Sequence, residues 1–161
     1  MKQTTLCYIE RDARYLMLHR TKKLNDENHD KWIGIGGHIE PGEMPMDCIL
    51  RETREETGLT LLDCWYRGIV RFRSDRYPDE DMHLFSATRF QGQMIACDEG
   101  DLAWIRKDAL LALTLWEGDR IFLKLLDSDA PFFDLRLEYA DERLMAAFLD
   151  GKALDTGKND E

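Results

Sequence analysis

Three glutamates, Glu52, Glu55 and Glu56, fall in the short stretch GHIEPGEMPMDCILRETREETGL that runs from Gly37 to Leu59. On an α-helix, residues three and four apart lie on one face, so these carboxylates point the same way. Like charges at that spacing cost an isolated helix roughly 0.2–0.5 kcal/mol per pair, and fold stability alone gives no reason to gather them. A hard divalent cation gives one, because Mg²⁺ prefers carboxylate, carbonyl and water oxygens and is shared with substrate phosphates. Gly34, Gly36 and Gly37 precede the helix, and glycine suits a backbone that must approach a ligand closely. They do not make a dinucleotide fingerprint: Ile39 stands where G-x-G-x-x-G needs its third glycine, and a helix does not follow at once. The stretch reads as a metal-phosphate site.

The elements that position these groups follow from the same pattern. Residues 3–9 and 14–20 are apolar or alternating around Glu10-Arg11-Asp12-Ala13, a strand hairpin. Residues 21–31 are polar, a loop, and residues 32–39 are short, apolar and interrupted by glycine. The helix spans residues 45–57, with proline in its first turn and Gly58 as its stop. Met44 is a poor cap there, at a cost of about 1 kcal/mol against serine or threonine. Residues 61–72 and 82–90 predict strands separated by a loop at 75–81, and residues 102–105 a further short strand. Apolar residues at Ile121, Phe122, Leu125 and Leu126 predict an amphipathic helix over 116–126. Residues 132–139 and 143–149 form a last hairpin, and 151–161 is a polar tail expected to fray. Mixed strands with two helices on their faces make an α/β or α+β sandwich.

At 161 residues the chain is expected to form a single domain over residues 1–150, large enough to bury a core without staples. Its net charge of −10 argues against a stable partnership with a nucleic-acid polymer. Residues 37–59 hold six acids and two arginines, so they supply four of those ten charges. Small phosphorylated substrates carried with Mg²⁺ remain compatible. Cys7, Cys48, Cys64 and Cys97 are scattered, without metal-ligand spacing, so a disulfide framework or zinc site is not expected. No segment has the length and apolarity of a membrane span or secretion signal, which predicts a cytoplasmic protein.

Residues 37–59 resemble the Nudix box: Gly37, Glu43, Arg51, Glu52, Glu55, Glu56, Gly58 and Leu59 fall on it in register. With each invariant position at roughly 5–7% background usage, a chance match is on the order of 10⁻⁹–10⁻⁸ per window, so the register is not accidental. Thr53 departs, standing where the family has an aliphatic residue. Its hydroxyl is able to bond back to a carbonyl one turn earlier, and we expect a small packing cost without loss of chemistry. The resemblance implies the Nudix fold, a mixed β-sheet between helices. It also implies Mg²⁺, with Mn²⁺ as a substitute, held by Glu52, Glu55, Glu56 and the Gly37 carbonyl. Glu43 and Arg51 are implied as braces of loop against helix, orienting the ligands. Hydrolysis needs a proton acceptor. Glu52 is the first choice, and Glu99 in the loop Cys97-Asp98-Glu99-Gly100-Asp101 the second, also as a metal ligand.

Beyond the box the chain is similar to the MutT-type oxidised-purine triphosphatases, through CYIERDARYLMLHR, KWIGIGG, EGDLAWI, TLWEGDRIF and PFFDLRLEY. In such relatives a tryptophan stacks the base and a carboxylate reads its edge, roles that fall on Trp116 and Asp119. The plain alternative is core packing for Trp116 and a favourable helix-start charge for Asp119. Ile33 stands where some of these enzymes place an asparagine that bonds the base. Recognition is then left to Asp119, backbone groups or the loop from Lys22 to Asp30. Lys22, Lys23 and His38 are candidates to steady the phosphates. The resemblance implies a nucleoside triphosphate pyrophosphohydrolase that cleanses the pool of 8-oxo-dGTP. Its rivals are a Nudix hydrolase of another nucleoside diphosphate derivative and a Nudix-fold sensor without turnover.

Overall fold

A computed structural model of the chain describes residues 1–22 and 26–156. The first hairpin joins β1 (Lys2–Arg11) to β2 (Arg14–Arg20). Asp12 and Ala13 both take positive φ, 53° and 59°, the left-handed turn that matches strand twist. Then come β3 (Trp32–Ile33), α1 (Pro45–Thr57), β4 (Thr60–Leu61), β5 (Trp65–Ser74), β6 (Glu80–Ala87), β7 (Phe90–Gln91) and β8 (Gly100–Arg106). A 3₁₀ helix over Lys107–Ala112 leads to α2 (Glu117–Asp127), β9 (Phe133–Ala140), β10 (Arg143–Leu149) and β11 (Lys152–Ala153). Among the described residues the large sheet runs β11-β10-β9-β5-β6-β1-β2-β3, with β8 also on β2. It is mixed, since β1 pairs parallel with β6 and β5 parallel with β9. One apolar core, including Tyr8, Val70, Leu84, Phe122 and Leu137, lies against α2. A second, including Cys7, Leu18, Ile35 and Phe85, lies against Ile49 of α1. The sheet therefore stands between its two helices, as the Nudix fold requires.

Three expectations change. The strand expected over 61–72 is broken, because the Asp63 carboxylate accepts from the Thr88 and Arg89 N–H groups and bends the chain between β4 and β5. Glu80 and Asp81, expected in a loop, already belong to β6. The start of the tail expected to fray, residues 151–154, is instead tied down: Gly151 turns at φ 85°, β11 pairs with β10, and Leu154 N–H donates to Ala147 O. Residues 157–161 lie outside the described residues.

Candidate active site

Segment 33–39 runs beside β1, with bridges Cys7 to Ile35 and Thr4 to His38, and this fixes where the glycines lie. A Cβ on Gly36 would stand 1.9 Å from Thr5 O, and one on Gly37 would stand 2.4 Å from Glu52 Cδ. Glycine is needed there because backbone meets backbone on one side and α1 meets the loop on the other. The Gly37 carbonyl accepts from the Thr5 N–H (2.9 Å) and the Thr5 hydroxyl (3.3 Å). A cation taking that oxygen would have to displace the hydroxyl.

α1 starts without a side-chain cap at Met44, carries Pro45 in its first turn, and ends at Gly58 in the left-handed conformation. Arg51 clamps the loop to it. Its Nε and Nη2 grip both Glu43 oxygens (2.8 and 2.9 Å), Nη1 reaches Glu52 (3.0 Å) and Glu55 (3.2 Å), and Nη2 donates to His38 O (3.2 Å). Hydrogen bonds from Arg51, then the Glu40 N–H, hold the Glu43 carboxyl down at about 2. Glu56 is buried, with Oε1 accepting the Gly36 N–H at 3.0 Å. Burial, then the Glu99 carboxylate, pushes the Glu56 carboxyl up to about 8 against the pull of that N–H. Burial raises Glu52 as well, with Arg51 opposing.

Glu99, 43 residues beyond Glu56 in the chain, is brought close enough for its charge to raise the Glu56 carboxyl. Arg20 Nη1 donates to Glu99 at 2.6 Å and Lys22 Nζ to Cys97 O at 2.8 Å, so β2 and its following residues hold this loop. Lys22 is thus committed to the loop, and Lys23 lies outside the described residues. Glu55 is the most exposed of the helix glutamates, its side chain 60% accessible. Among the described residues no three acidic, His or Cys side chains are already arranged to hold a metal ion. The donor chemistry nevertheless fits one. Burial, with the charges of Glu99 and Glu52 added to it, favours a proton on Glu56, and a hard cation with oxygen ligands would offset both.

One cleft of about 200 Å³ joins this end to the other helix. Gly36, Gly37, His38 and Arg20 line the end where the glycine loop meets α1, and Ile33, Phe72, Met82, Trp116, Asp119, Phe122 and Tyr139 its far end. The Trp116 indole N–H donates to Asn28 Oδ1 (2.8 Å), Tyr139 meets its ring edge-on at 5.3 Å, and Lys31 Nζ stands 4.4 Å over it. Asp119 is 3% exposed, and burial, then the charge of Glu80, raises its carboxyl to about 8. The last hairpin fixes the start of α2: Tyr139 Oη accepts the Gly118 N–H (2.7 Å) and Glu117 Oε1 the Leu144 N–H (3.0 Å). Tyr139, Glu80, Thr4 and Lys2 were not among the residues expected here. The missed signal was alternation, which puts polar side chains of β1 and β6 on the core-facing side.

A mixed sheet between helices, with an acidic helix facing a glycine loop at one end of a cleft, defines a Nudix fold. The NUDIX domain model matches residues 2–126, and the chain belongs to that family; it is a Nudix hydrolase. It is 28% identical to the uncharacterized Nudix hydrolase YvcI of Bacillus subtilis over 74% of this chain and 75% of that one. It is 31% identical to the mouse oxidized purine nucleoside triphosphate hydrolase over 60% of this chain and 62% of the relative. The crystal structure of a MutT protein from Bacillus halodurans superposes with a TM-score of 0.83 at 26% identity, covering 93% of this chain and 98% of that one.

Proposed function

We propose that this enzyme is a Mg²⁺-dependent nucleoside triphosphate pyrophosphohydrolase that acts on 8-oxo-dGTP, releasing the monophosphate and pyrophosphate, in the cytoplasm. The observation that carries the reading is a cleft with the glycine loop, backed by Glu52 and Glu56 of α1, at one end and a tryptophan beside a buried carboxyl at the other. The mouse and zebrafish relatives named oxidized purine nucleoside triphosphate hydrolases support the substrate class.

Glu52, Glu56 and Glu99 are the side chains that would hold the cation, with Glu55 and the Gly37 carbonyl as the other candidates. Bound Mg²⁺ supplies charge neutralisation on the phosphates and a more acidic water. Glu52 would accept the proton of the attacking water, with Glu99 as the alternative acceptor. Arg51 and Glu43 position Glu52 rather than touch substrate. Trp116 stacks the base, the neutral Asp119 donates to its edge, and His38 steadies the phosphate chain. Ile33 contributes only packing, so recognition of the oxo group falls on Asp119 and its neighbours. Turnover of 8-oxo-dGTP, dGTP, the other nucleoside triphosphates, nucleotide sugars and dinucleoside polyphosphates with Mg²⁺ tests the reading. Faster hydrolysis of 8-oxo-dGTP is expected. Equal rates for dGTP and its oxidised form would remove the pool-cleansing role and leave the hydrolase.

A further inference from the structure

In β1 and β6 the parallel register sets Lys2 opposite Glu80, Thr4 opposite Met82 and Leu6 opposite Leu84. Residues two apart in a strand share a face, and Leu6, Met82 and Leu84 belong to the core under α2. Lys2, Thr4 and Glu80 therefore continue that core face, at the end where the sheet opens into the cleft, and all three line it. An apolar residue would be the ordinary occupant of such a position. The sheet instead places a carboxylate there, its side chain 19% exposed. Thr4 Oγ1 donates to Glu80 Oε2 at 2.6 Å. Lys2 Nζ makes its short contact with Glu27, at 2.7 Å, and lies 3.6 Å from Glu80 Oε1. One carboxylate oxygen is thus fixed by a hydroxyl, while the other, among the described residues, keeps the longer contact.

We propose that Glu80 is a specificity-determining residue of the base pocket, its Oε1 accepting from N–H donors on the base edge so that guanine-type bases are preferred over adenine-type ones. The inference rests on the nucleotide-hydrolase reading above. The remaining lining of that end is largely apolar, Ile33, Phe72, Met82 and Phe122, so the few polar groups decide what is bound. A carboxylate only accepts, whereas a protonated carboxyl such as that of Asp119 offers one donor beside its acceptors. A guanine edge presents one carbonyl acceptor and adjacent N–H donors, which the pair matches. An adenine edge carries its donor and acceptor in the opposite order, so in the pose that sets the six-position group against Asp119 it turns a ring lone pair toward the Glu80 charge.

The test is kcat/KM with Mg²⁺ for 8-oxo-dGTP, dGTP and dATP, measured on the wild type, Glu80→Gln and Thr4→Val. Glu80→Gln keeps the shape and replaces one acceptor by a donor. It is expected to lower the guanine-to-adenine ratio about ten- to a hundredfold, the range for a lost bond to a charged group. Thr4→Val, which releases the carboxylate, shifts the ratio the same way by a smaller factor. An unchanged ratio in folded Glu80→Gln overturns the assignment. Should that variant not fold, an unchanged ratio in Thr4→Val overturns it instead. A wild type that hydrolyses none of the three nucleotides refutes the nucleotide reading itself, whereas failure of the Glu80 assignment leaves wild-type hydrolysis intact.

Discussion

Thr53 is fully buried in α1, and its hydroxyl has no hydrogen-bond partner among the described residues. The expected back-bond one turn earlier is made by Thr57 instead, whose Oγ1 donates to Thr53 O at 2.6 Å. An unpaired buried hydroxyl costs about 1–3 kcal/mol, so Thr53→Val should stabilise the protein. A rise of several degrees in Tm by calorimetry is expected; a fall would show that the site does not tolerate a methyl. Asp119 makes a pH prediction. Its folded pKa of about 8 lies above the ordinary 3.8, so the folded state binds the extra proton between those values. Stability is then lost as pH rises through that window. The charges acting on it are Glu80, Lys31 and Arg120, and Tyr8 and Tyr139 are raised by burial and then by its charge. In Asp119→Asn that loss disappears, so its Tm relative to the wild type should climb from pH 5 to pH 8. A constant difference across that range would contradict the buried neutral carboxyl.

At the scale of elements, the hairpin of β9 and β10 lies beyond the residues matched by the family model, yet it holds the start of α2 through Tyr139 and the Leu144 N–H. Tyr139→Phe leaves the buried Gly118 N–H without its acceptor, a cost of about 1–3 kcal/mol. Denaturant unfolding should show that loss, and steady-state kinetics a higher KM for the nucleotide with a smaller change in kcat. An unaltered KM would confine the hairpin to a purely structural role. This coupling was not legible in the sequence. It depends on β9 pairing parallel with β5, Gly68 opposite Phe133, a contact between residues far apart in the chain. α1 was legible to the residue, because Pro45 and Gly58 punctuate it and its acid spacing has helical period. Glu80 was hidden because Pro78 and the run of charges around it suggest a loop, and only the register with β1 reveals which face it takes.

For the whole molecule, a net charge of −10 and a crowded carboxylate cluster mean that folding itself opposes like charges that a cation would relieve. Mg²⁺ should therefore raise Tm beyond the effect of Na⁺ at equal ionic strength, its binding adding about 2.7 kcal/mol of stability when its concentration is 100 times Kd. Identical melting in both salts would argue against a specific site. The central claim is that the glutamates of α1, with Glu99, gather a divalent cation for hydrolysis of a phosphate chain. The most direct measurement is Mg²⁺-dependent pyrophosphate release from 8-oxo-dGTP by the wild type beside Glu56→Gln, which keeps the shape of the buried side chain and removes the carboxylate that a cation would bind. The account predicts turnover that requires Mg²⁺ and falls by orders of magnitude in the folded variant. Undiminished turnover by Glu56→Gln, or wild-type turnover indifferent to Mg²⁺, would contradict it.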